Sequence, residues 1–142
     1  MAGINTGKVI AGGLLAGVVY NALDFVNNMF LMGADFSANA TRLGLDPAQM
    51  ESTRGMATWV TVDFLMGILV VWTYAAIRPR FGPGPKTAIY AGLVPYFAIV
   101  LIMLGLTTGG FFPMAVFGKM AVISLITTSI GAVAGAWAYK EA

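Results

Sequence analysis

From Ala88 to Leu106 the chain runs nineteen residues without a charged side chain. At about 1.5 Å of rise per residue, an α-helix of that length matches the roughly 30 Å hydrocarbon core of a bilayer. Three further apolar stretches have the same reach: Lys8 to Gly33, Met56 to Ile77 and Pro113 to Tyr139. Hydrophobic residues make up 58% of the 142 and charged ones 10%, where a soluble domain carries roughly 25% charged. The predicted fold class is therefore all-α. The expected architecture is a polytopic membrane protein, a four-transmembrane-helix bundle in one domain covering residues 1–142, with helices at about 8–33, 47–78, 86–106 and 113–139.

The second and third spans are separated by Arg78-Pro79-Arg80-Phe81-Gly82-Pro83-Gly84-Pro85-Lys86. Proline cannot donate a backbone hydrogen bond and biases the residue before it away from helix, so one helix is expected to end near Ile77 and the next to begin near Lys86. Irregular backbone is not tolerated in hydrocarbon, so this basic loop lies in water or among headgroups. Lys8, Arg78, Arg80, Lys86 and Lys140 fall on that side of the membrane. Arg42 and Arg54 fall on the other, and Lys119 is ambiguous. The positive-inside rule then places the Arg78, Arg80 and Lys86 loop and both termini in the cytoplasm, in a bacterial inner membrane. Trp72, Tyr74, Tyr90, Trp137 and Tyr139 cluster at the same ends, where amphipathic rings sit at the headgroup level.

The polar stretch Gly33 to Arg54 carries Asp46-Pro47-Ala48-Gln49, a helix start with a capping carboxylate and a proline in the first turn. Asn39-Ala40-Thr41 matches a glycosylation acceptor, without a secretory context to use it. The first span is too long, and with Asn21, Asp24, Asn27 and Asn28 too polar, for the apolar region of a signal peptide. Pro95 inside the third span is expected to kink it. There is no histidine and no cysteine. That removes the commonest general base, the usual haem or chlorophyll ligand and any thiolate chemistry, so no enzyme, metal site or bound cofactor is predicted. The net charge of +2 sits in short loops rather than on a basic face, which excludes nucleic acid as a partner.

Two patterns carry the candidate sites. Gly13 and Gly17 lie one turn apart, as do Gly131 and Gly135, and small residues let membrane helices approach closely. The first and last spans are expected to touch through these four glycines. On the same face of the first span stand Tyr20, Asn21, Asp24 and Asn28. Asp24 lies roughly 24 Å above Lys8 and Asp63 roughly 22 Å above Arg78, at matching depths. A carboxylate facing lipid costs at least about 2.5 kcal/mol, so Asn21, Asp24, Asn28 and Asp63 are expected to share a buried polar pocket, with at least one carboxyl protonated. Lys119 points about 120° away from the glycine face and is expected to snorkel to headgroups rather than pair with either aspartate.

The run from Trp72 through the RPRFGPGPKTA loop to Ala88 resembles a group of small bacterial integral membrane proteins with four membrane helices, and the similarity extends from Gly7 to Tyr139. The resemblance implies the topology and no activity, ligand or catalytic residue. The expected function is that of a structural or accessory subunit of a larger membrane complex of respiratory or photosynthetic type. Its partners would be membrane lipids, other membrane subunits or copies of itself, with pigment contact possible through apolar faces. The alternative is a small proton-linked transporter or channel using Asp24 and Asp63.

Overall fold

A computed structural model describes residues 3–139. Lys140, counted above on the basic side, lies outside the described residues. Among the described residues every regular element is helical: α1 (Thr6–Asn27), a π-helical turn (Asn28–Met32), α2 (Gly33–Arg42), α3 (Ala48–Glu51), α4 (Thr53–Phe81), α5 (Pro85–Thr108) and α6 (Met114–Ala138). Four helices are long and apolar enough to cross a membrane: Thr6–Arg42 taken as one, α4, α5 and α6. They form an antiparallel ring in the order α1, α4, α5, α6, with α1 packed on α4 and α6, and α5 packed on the same two. The chain start, the Gly82–Gly84 turn and Tyr139 share one end, called here the basic end.

The helix boundaries differ from the sequence expectations for identifiable reasons. α4 continues four residues beyond Ile77, through Pro79, because a proline this close to a helix C-terminus interrupts only the last turn. The loop is thereby reduced to Gly82, Pro83 and Gly84, and the two glycines at φ 80° and 134° make the reversal that other residues would resist. The helix expected from Pro47 is two helices. Asp46 accepts from Ala48 N at 3.0 Å and starts the short α3, then Ser52, at ψ 155°, breaks the helix and caps α4 by accepting from Gly55 N at 3.1 Å. α5 is helical straight through Pro95.

The first span is the largest departure. It continues past Gly33 to Arg42 as 37 helical residues, about 55 Å at the α-helical rise. The π turn inserts one residue into it. Below the turn the buried or half-buried stripe is Val9, Gly13, Ala16, Tyr20 and Asn27; above it Met32, Asn39 and Ala40 are buried. Asn27 and Met32 are five residues apart rather than four. One extra residue rotates the remainder of the helix by about 100°, which brings Asn39 rather than Ala38 onto the inner side. Gly33 allows this, since a Cβ there would run into the Asn28 carbonyl oxygen.

Two of the four glycines meet a different helix from the one expected. Gly13 and Gly17 face α4, not the last span: a Cβ on Gly13 would lie 2.5 Å from Ile68 Cα, and one on Gly17 2.8 Å from Phe64 Cα. Gly67 reciprocates, with a built Cβ 2.7 Å from Gly17 N. The first and last spans do touch, through Gly12, Ala16 and Tyr20. Gly135 takes Ala16 and the Gly12 carbonyl, and Gly131 takes the Tyr20 ring. Tyr74 and Tyr139 leave the aromatic belt as well. Both are buried, at 3% and 2% exposure, in an edge-on pair 6.0 Å apart, while Trp72 and Trp137 face outward.

Gly67→Val should lower the unfolding free energy by about 1–3 kcal/mol, the usual cost of overpacking, read by reversible unfolding in detergent. Gly118→Ala, where an added Cβ meets nothing, should leave it unchanged.

Candidate functional site

In an antiparallel pair, side chains of the two helices lean in opposite directions, each toward its own N-terminus. Asp24 on α1 therefore leans toward the basic end and Asp63 on α4 toward the far end. The two carboxyls are near neighbours across the α1–α4 contact. Asn27, one turn above Asp24, donates from Nδ2 to Thr127 Oγ1 of α6 at 3.0 Å. Tyr20, 4% exposed, lies within electrostatic reach of both carboxyls and donates to the Thr128 carbonyl oxygen at 3.2 Å. Among the described residues no third carboxylate, histidine or cysteine joins the pair to make a metal-binding group.

Two of the expected pocket residues sit elsewhere. Asn28 is exposed, because α6 lies on the Asn27 side of α1 and the π turn begins at Asn28 itself. Asn21 bonds the backbone, giving Nδ2 to Gly17 O at 2.9 Å and to Val60 O at 3.4 Å, and so ties α1 to α4 beside the acids. The pocket is also not enclosed. Asp24 is exposed and Asp63 half-buried, since α4 parts from its neighbours at the far end. Every residue from Met56 to Val62 is exposed, nearly two turns with uncovered surface on all sides.

Lys119 neither meets the acids nor stands alone. Its ammonium pairs with Asp35 at 2.7 Å and donates to the Leu31 carbonyl of the π turn. Arg42 donates from Nη2 to the carbonyls of Gly110 at 2.9 Å and Phe111 at 3.0 Å, and Asn39 gives Nδ2 to Phe111 O at 3.1 Å. Asn39 of the glycosylation motif is therefore 7% exposed and engaged, not presented to solvent. At the basic end Arg80 and Lys86 are exposed and Arg78 is half-buried, with Lys86 Nζ 5.8 Å above the Tyr90 ring.

Comparison with protein-family models, with curated proteins and with solved structures finds no match. The functional reading therefore rests on the residues and their geometry.

Infrared spectra of the protein in bilayers should show a protonated-carboxyl stretch at neutral pH that is lost or shifted in both Asp24→Asn and Asp63→Asn. A band unchanged in both variants would contradict the protonated carboxyl that the sequence leads one to expect at Asp24 or Asp63.

Proposed function

We propose that the chain is a structural or accessory subunit that assembles laterally with other membrane-protein helices at the far end of α4. The observation that carries this reading is the uncovered stretch Met56 to Val62, lying beside a carboxyl pair of which Asp24 is exposed. Facing lipid, a charge there costs at least about 2.5 kcal/mol, which a neighbouring protein surface relieves. Arg54, Ala57, Thr58 and Thr61 form a small-sided face of α4, and the threonine hydroxyls are already bonded within the helix, to Arg54 O at 2.8 Å and Ala57 O at 2.7 Å. Such a face lets another helix approach without stranding polar groups. The membrane would be the cytoplasmic membrane of a bacterium, with both termini and the Arg78, Arg80 and Lys86 loop inside, as the basic loop argues.

The neighbouring acid pair favours a second reading, proton-linked transport. The half of the bundle nearer the basic end weighs against it, being packed mostly with apolar side chains, Val9, Ala16, Val71, Ala75, Ala88 and Ala91 among them.

Tagged protein extracted from its native membrane in mild detergent should bring down other membrane proteins, and Ala57→Trp should release them while leaving the thermal stability of the isolated chain unchanged. A small homogeneous assembly of this chain alone, in parent and variant alike, would overturn the proposal.

A further inference from the structure

The contacts above the π turn are of a different kind from those below it. Below, α1 is locked by glycine and aromatic packing. Above, α2 buries only Ala40 among apolar residues, with Met32 at its base. Phe36 is half-buried, and the bonds that attach the segment are Lys119 to Asp35, with side chains 46% and 35% exposed, Lys119 to the Leu31 carbonyl, and Arg42 and Asn39 to the carbonyls of the turn between α5 and α6. Segments with few buried apolar contacts and exposed hydrogen bonds open at the low end of a protein's free-energy range, and movable lids are drawn from them.

We propose that residues 33–42 form a releasable strap, hinged at the π turn and clasped by Lys119 and Arg42, whose opening parts the end of the first span from α6 and from the α5–α6 turn. The π turn is what makes the clasps possible. Without its inserted residue α2 would be rotated by about 100° and Asp35 and Asn39 would face away from α6 and the α5–α6 turn. The hinge and the clasps are thus one device: the turn sets the register and Lys119 both satisfies its Leu31 carbonyl and holds the strap's Asp35. Release needs no change in the glycine seams, because Asn27 and Thr127 tie α1 to α6 below the hinge. The device is independent of lateral assembly and is a property of the chain by itself.

The chain contains no cysteine, so spin labels on introduced cysteines report single positions. Labels on Ala38→Cys of α2 and Val122→Cys of α6, both exposed, would be measured by pulsed electron resonance in bilayers, alongside a pair below the hinge, Val18→Cys and Ile130→Cys. The strap is expected to give one narrow 38–122 distance in the parent and an added longer, broader population in the double variant Lys119→Met and Arg42→Met, with the 18–130 distance unchanged. Because that variant also risks misfolding, the parent is measured at low and high salt. Screening of the exposed ion pair should raise the longer population at high salt. A 38–122 distance that stays single in the double variant and at both salts overturns the strap. So does a shift of the 18–130 distance in step with it, which would mean the whole bundle loosens.

Discussion

The structure depends on how closely α1 and α4 approach. Lipid tails are as apolar as leucine, so no hydrophobic force drives membrane helices together, and their association relies on packing and on hydrogen bonds between them. At Gly13, Gly17 and Gly67 the two backbones touch with no side chain between. Gly12 and Gly135 do the same for α1 and α6, and Gly131 makes room for the Tyr20 ring. The first span is thereby held on two sides. Beyond the small residues, past Tyr20 on α1 and Phe64 on α4, the two helices are joined by the bond from Asn21 Nδ2 to Val60 O, and the carboxyl pair lies beside it.

The second constraint is that hydrocarbon supplies no hydrogen bonds. Thr58, Thr61, Thr73, Thr107, Thr108 and Ser129 each return their hydroxyl to a carbonyl four residues back. Tyr74 accepts at its hydroxyl oxygen from Gly84 N at 3.2 Å, so a core aromatic also caps the basic loop. Arg42 serves the carbonyls of the glycine turn at the far end. Asp24 and Asp63 lie side by side where α4 is uncovered. They are the groups whose surroundings within this chain are incomplete, which is why the functional proposal centres there.

Much of this was readable in the residues. Uncharged length determined the four spans, and depth counted from Lys8 and Arg78 brought Asp24 and Asp63 to one level. Pairing of the glycines was not readable, because each glycine face has two neighbouring helices and spacing alone does not say which one it meets. Asn27 was visible one turn from Asp24, yet the choice between it and Asn28 depends on which side α6 lies. The π turn was hidden for a stronger reason. Its only local sign is Gly33, and a glycine there reads equally well as a helix end. Once the turn is in place Asp35 reaches Lys119, a pairing that an unbroken helical wheel does not contain. Ser52, a good cap in a polar stretch, carries the signal for the start of α4, and the Asp46-Pro47 start ahead of it masks that signal.

The claim on which the rest stands is that the first span lies along the second, with Asn21 opposite Val60. The direct measurement is oxidative cross-linking in bilayers of the double variant Asn21→Cys and Val60→Cys, against Asn21→Cys and Leu101→Cys, which places the second thiol on α5 across the ring. The account predicts a disulfide in the first pair and none in the second. A disulfide in the second pair with none in the first would contradict it.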